Sequence, residues 1–191
     1  MKNKKITKGS FGYISYCKKR EILKTALLFL IPLSLFAAGW ITTKSRLNVL
    51  TIVAVLGMLP ASKSAVLMIM YLKGHGISRE EHDLYAPLME GMTGSFDLIF
   101  TTYEKTYEIP ALVIRCGNIV GISAGVYETI RDLEKHIEHS VRQEGYSVCV
   151  KFFDKKEAYM QRLGSLAKLE ESEADVAADL AIRQVLFDIS L

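Results

Sequence analysis

Residues able to do chemistry are few in this 191-residue chain, and they are scattered. His136 and His139 stand three apart, a spacing that brings two imidazoles to one side of a helix within reach of one metal ion. Glu134, Lys135 and Glu138 surround them, which marks that side as solvated. His82 and Asp83 are adjacent and form no recognisable triad with a nucleophile. Gly121 and Gly125 do not fit the Gly-x-x-x-x-Gly-Lys pattern of a phosphate loop. Three cysteines, odd in number and without tight spacing, exclude a disulfide framework and a cysteine-only zinc cage. The acidic run from Glu170 to Asp179 reads as an exposed helix face. No catalytic residue is assigned, and neither a metal ion nor a cofactor is expected.

Chemistry needs elements to hold it, and charge divides this chain in two. Residues 1–78 hold 12 Lys and Arg against one acid, Glu21, a net +11, whereas residues 79–191 hold 12 against 20, a net −8. Hydrophobic residues make up 50% of the whole, too many for a disordered chain.

The basic half carries two apolar stretches, Ile22 to Ile41 and Val49 to Leu72, each broken by one charge, Lys24 and Lys63. A helix of about 20 apolar residues crosses a hydrocarbon core of roughly 30 Å, so both are long enough. The link from Thr42 to Asn48 forces an antiparallel hairpin. A cleaved signal peptide has an apolar run of only about 7–15 residues, and a buried soluble hairpin would not be apolar all round. Seven cations precede the first span (Lys2, Lys4, Lys5, Lys8, Lys18, Lys19 and Arg20) and two, Lys44 and Arg46, lie in the link. By the positive-inside rule the N-terminus and everything after Leu72 are expected in the cytoplasm. The basic tail is expected to adhere to anionic lipid. Nucleic acid is not expected as a partner, because the same cations already serve topology. Lys63, about 21 Å along its helix from Val49, is within snorkelling reach of the inner interface and is the candidate intramembrane polar site.

The acidic half reads as a small α/β domain. Ser78 and Glu81 form a capping box for a helix to Met92, with Pro87 inside it. Strand-like runs follow at Phe96–Tyr103, Ile109–Arg115 and Ile119–Ser123, the last two joined by the turn Cys116-Gly117-Asn118. Val126, Ile130, Leu133, Ile137 and Val141 step by four, three, four and four along a helix that Gly145 ends. A strand at Val148–Phe153 comes next, then a helix capped by Asp154 and Glu157, then a last helix from Ser172. Cys116 and Cys149 fall on strands and read as core thiols.

The order helix, three strands, helix, strand resembles the restriction-endonuclease-like core, in particular the nuclease-related domain found beside membrane segments. The closest local match is Glu108-Ile109-Pro110-Ala111-Leu112-Val113-Ile114, the Gly117-Asn118 turn, and Ile119-Val120-Gly121-Ile122-Ser123-Ala124-Gly125. In that family a second strand opens with a Glu-Ile-Asp-like sequence and a third closes with a Glu-x-Lys-like one. The acids hold magnesium, and the lysine positions or activates water. Pro110 occupies the aspartate position here, Ser123 the glutamate position and Gly125 the lysine position, which leaves Glu108 as the one carboxylate. The resemblance spans residues 79–153 and implies a nuclease-like fold without nuclease chemistry.

The expected architecture is therefore α+β: a basic cytoplasmic tail (1–21), a two-span transmembrane hairpin (22–72), a linker (73–78) and a cytosolic αβββαβ-type domain with C-terminal helices (79–191). The expected role is a non-enzymatic module at the cell membrane that meets a protein partner or a second copy through the stripe Ala178, Ile182, Val185 and Ile189, with Phe187 beside it. The alternative is a membrane-tethered nuclease-like enzyme with a displaced or degenerate site. Convergence of Glu108, Asp97 and a third acid would favour it.

Overall fold

The computed structural model describes residues 6–44, 48–102, 105–123 and 127–191. Of the positions singled out above, Lys2, Lys4, Lys5, Arg46, Tyr103, Ala124, Gly125 and Val126 lie outside them. The chain divides into two compact units: residues 14–74, and a domain made of residues 1–13 together with 75–191.

The first unit is a helical hairpin of α1 (Tyr13–Thr43) and α2 (Val49–Lys73), both long and apolar enough to cross a membrane. The helices meet at intervals of seven. The Thr25 hydroxyl is hydrogen-bonded to that of Ser64 at 2.9 Å, Pro32 lies against Gly57, and Gly39 lies against Leu50. Each step of seven forward in α1 is thus a step of seven back in α2. This is the repeat that lets two helices wind about each other. Ala54 and Ala61 complete the buried seam of α2, and small residues there let the backbones approach. Asn48 caps α2 by accepting the Thr51 N–H at 2.8 Å. The outward surfaces are apolar and bare: Ile41 is 78% exposed and Leu59 69%. The ammonium of Lys24 pairs with Glu21 one turn earlier at 3.1 Å.

The second unit is α+β, with the expected element order. Helix α3 (Arg79–Tyr85) starts in the Ser78–Glu81 capping box, and at Pro87 it gives way to a 3₁₀ turn, Ala86–Met89. Strands β1 (Thr93–Thr101), β2 (Thr106–Arg115), β3 (Asn118–Ile122) and β4 (Cys149–Phe153) form one sheet in that spatial order. The first three run antiparallel; β4 is parallel to β3 and is reached through α4 (Tyr127–Gln143). Helices α5 (Lys156–Leu166) and α6 (Glu173–Ile189) follow. The apolar stripe of α4 (Ile130, Leu133, Ile137, Val141) packs with Ile182 and Leu186 of α6 on one sheet face, while Tyr85, Met89, Tyr159 and Leu163 cover the other. Gly145, at φ +87°, ends α4 with the N–H bonds of a left-handed cap.

Alternation along β1 and β2 inverts once. Leu98, Phe100, Tyr107 and Ile109 face the α4–α6 core, yet Phe96 and Ala111, two residues away on each strand, face the α3–α5 core. Between the pairs Phe96–Ala111 and Leu98–Ile109 stand Asp97, at φ +55°, and Pro110, which has no N–H to give to a ladder. Both strands kink at the same level, so the register continues unchanged on either side.

Three local expectations are corrected. Lys155, not Asp154, takes the cap position of α5, and it makes no side-chain capping bond. Cys116 is not on a strand: it sits in the β2–β3 turn at φ +48° and is half-exposed. Cys149 is on β4 but exposed, because Val150 and Phe152 take the inward positions of that short strand.

Candidate functional site

A lone carboxylate stands in the apolar run Phe96-Asp97-Leu98-Ile99-Phe100. Asp97 is 2% exposed. Its Oδ2 accepts the Gly12 N–H at 2.8 Å and its Oδ1 accepts the Ile77 N–H at 2.7 Å. Gly12 immediately precedes α1, and Ile77 lies just past α2. One buried carboxylate therefore holds the chain both where it enters the hairpin and where it leaves. Glu108 has a related role: its Oε2 accepts the His75 N–H at 2.9 Å. Hydrogen bonds from backbone donors to a carboxylate are charge-assisted and satisfy groups that would otherwise be orphaned.

Residues 6–13 of the basic tail belong to this domain, whereas 14–21 lie on α1. Gly9 accepts the Phe96 N–H at 2.8 Å on the outer edge of β1. The Phe11 ring lies 4.4 Å from that of His82, which lies 4.8 Å from that of Phe96. Lys8 donates to the carbonyls of Phe187 and Ser190, a cation set where the α6 dipole is negative. The end of the chain uses the same edge: Leu191 N–H donates to Ile99 at 2.8 Å, and Ser190 bridges to Phe100. Both chain ends thus cover a strand edge that would otherwise be open for pairing.

The stripe on the last helix turns inward. Ile182 is buried, and Val185, Phe187 and Ile189 pack against the α4–α6 core; Ala178 is half-buried. The helix is apolar on more than one side because the sheet takes one side and the N-terminal segment meets another through Phe187. The large apolar side chains left outward are Val176 and Leu180, 39% and 44% exposed. Asp179 corrects the reading of the acidic run. It is fully buried, and its two oxygens accept the N–H groups of Cys116 and Gly117 at 2.7 and 3.0 Å, clamping the β2–β3 turn. It falls in phase with Ile182 and Leu186 at helical spacing, and that phase was the available sequence signal.

Other candidates are dispersed. His136 is half-buried and His139 exposed on α4. Their neighbour Glu134 is not merely solvated: it accepts the Phe152 N–H at 2.8 Å and lies 3.6 Å from Lys151. Ser123 is buried, and its N–H donates to Phe153 at 2.9 Å. Gly121 leaves room for an aromatic ring, since a β-carbon there would lie 2.6 Å from the Phe152 ring. Lys63 projects from an exposed position of α2, one residue from the buried Ser64. Among the described residues no group of three or more His, Cys, Asp and Glu is placed to hold a metal ion. His82 Nδ1 lies 3.1 Å from the exposed Asp83 carboxylate, and its ring sits tilted against those of Phe11 and Phe96.

Two phenols complete the inventory. Tyr85 and Tyr159 meet edge to face at 5.2 Å, and neither hydroxyl has a hydrogen-bond partner. Burial disfavours the phenolate and raises the pKa of both hydroxyls above the ordinary phenol value.

Compared with protein families, with curated proteins and with solved structures, the chain matches none.

Proposed function

We propose that this chain is a membrane-anchored, non-enzymatic module: the hairpin spans a bilayer, and the α+β domain is presented at its cytoplasmic face for protein interaction or self-association. The observation that carries the reading is the pairing of two features. The helices are mutually packed through a small-residue seam while their outer surfaces stay apolar, which suits lipid. The segments before and after them share one compact unit, which suits an even number of crossings. Cations before the first span favour the cytoplasm for both ends, and the exposed Lys19 and Arg20 suit anionic headgroups there. An exposed Lys63 suits snorkelling.

The element order supports a nuclease-like scaffold. The acids nearest the family's positions support a structural role for them, since Asp97 and Glu108 accept backbone N–H bonds. Self-association through the last helix would use Val176 and Leu180, its outward apolar side chains.

Cysteine labelling on intact cells tests the topology. A cysteine placed at Ser45 should react with an impermeant maleimide from outside, while the exposed Cys149 should react only after permeabilisation. The reverse pattern, or recovery of the chain in the soluble fraction after alkaline extraction, would sink the reading. Leu180→Asp in mild detergent tests the surface: an unchanged mass with a dimeric wild type would exclude this face.

A further inference from the structure

The N-terminal segment does more than seal the edge of β1. Between it, the start of β1 and α6 lies a cavity of about 360 Å³, lined among others by Lys8, Ser10, Ser95, Arg183 and Phe187. Among the described residues no carboxylate lines it, although residues 79–191 carry a net −8. The nearest acids by sequence are engaged elsewhere: Asp97 with Gly12 and Ile77, and Asp188 with Gln184 at 3.1 Å. Arg183 makes no ion pair among the described residues; its guanidinium lies 5.8 Å from the centre of the Phe187 ring. At that distance the ring face attracts the cation without using its N–H donors. Ser95 supplies an independent sign. It is 1% exposed, lines this cavity, and its hydroxyl has no hydrogen-bond partner. Buried hydroxyls are ordinarily paired, and an unmade bond at a cavity wall marks where an acceptor belongs. Gly9, at φ +80°, lets the Phe187 ring close on the backbone at this wall, where a β-carbon would overlap the ring.

The Ser95 hydroxyl on β1 and the Arg183 guanidinium on α6, beside a Lys8 whose ammonium is bonded to the Phe187 and Ser190 carbonyls, suit an acceptor with oxygens in several directions. A planar carboxylate offers two oxygens, whereas a phosphate offers at least three. We propose that this cavity binds the phosphate group of a small phosphate ester or of a phospholipid headgroup.

The full chain in an uncharged detergent is the material for the test. Inorganic phosphate should raise its melting temperature above that in chloride at equal ionic strength. Short-chain phosphatidic acid, compared with phosphatidylcholine, forms the lipid arm. Binding of phosphate alone assigns a free ester, binding of phosphatidic acid alone assigns the headgroup, and either supports the site. Arg183→Gln should weaken binding by about tenfold or more, the loss of a charge-assisted contact. Ser95→Ala should weaken it about severalfold and, without ligand, should melt no lower than the wild type. No shift with either probe overturns the proposal, as does unaltered affinity in either variant.

Discussion

Asp97 stands across from Pro110 at the level where both β1 and β2 exchange their inward and outward faces. Proline supplies no ladder donor there, and aspartate is among the few residues besides glycine that take φ +55° readily. The kink frees the carboxylate from the sheet, so it can reach the N–H groups of Gly12 and Ile77.

The first prediction follows from that carboxylate. Asp97→Ala leaves two backbone donors without their acceptor and places alanine in the left-handed region. Unfolding in detergent should show a loss of about 2–4 kcal/mol. Asp97→Asn keeps one acceptor oxygen and the backbone preference, and should lose less than half of that. Trypsin should cut at Lys8 faster in both variants. Equal resistance in Asp97→Ala and wild type would show that the clasp does not hold the segment.

Asp179 provides a second contrast. An exposed acid on a helix face can be replaced at a cost within about 0.5 kcal/mol. A buried one that clamps a turn cannot, and Asp179→Ala should cost about 2–3 kcal/mol. Glu173→Ala, on the exposed first turn of the same helix, is the control.

Acid should loosen the domain through two caps. The Lys156 ammonium, 2.7 Å away, and then the Ser78 donors hold the Glu81 carboxyl below its ordinary value of 4.5. The Ser172 hydroxyl and N–H hold Asp175 below 3.8. A depressed folded-state pKa means stability that is present above the unfolded value and lost as pH falls through the folded one. Denaturant midpoints should therefore drop as pH falls below about 4.5, and the Glu81→Gln, Asp175→Asn double variant should show a shallower drop in that window. An identical slope would assign acid sensitivity to other groups.

The tyrosine pair predicts a gain. Each buried hydroxyl forfeits its bonds to water and makes none in the fold. Tyr159→Phe should raise stability by up to about 1 kcal/mol, since the ring contact with Tyr85 survives. A loss of that size would mean that the hydroxyl has an acceptor after all.

Much of the fold was legible because it rests on local pattern. The Ser78 capping box, the helix start at Ser172, the α4 stripe, the Gly145 stop and both apolar helices follow from residue type and spacing alone. What escaped is long-range. The seam that pairs Thr25 with Ser64 needs the register of two helices, and only Ala54 and Gly57 hinted at it. The roles of Asp97 and Asp179 depend on which distant N–H groups arrive beside them. The stripe on α6 was visible, but its occupant was not. Periodicity says that a face is buried and not by what, and here the sheet and the N-terminal segment cover it.

The seating of residues 7–12 has a consequence for the order of assembly. Their bonds reach Asp97 across 85 positions and Phe187 across 179. Contacts so distant in sequence form late, after the closer ones have shortened the effective loop. On a ribosome this segment emerges before either helix of the hairpin, yet its sites at Phe187 and Ser190 do not exist until α6 has left the tunnel. Throughout that interval the segment can meet β1 but not α6. Only when the last turn of α6 forms does Lys8 meet its carbonyls, and only then is the edge of β1 closed at both places.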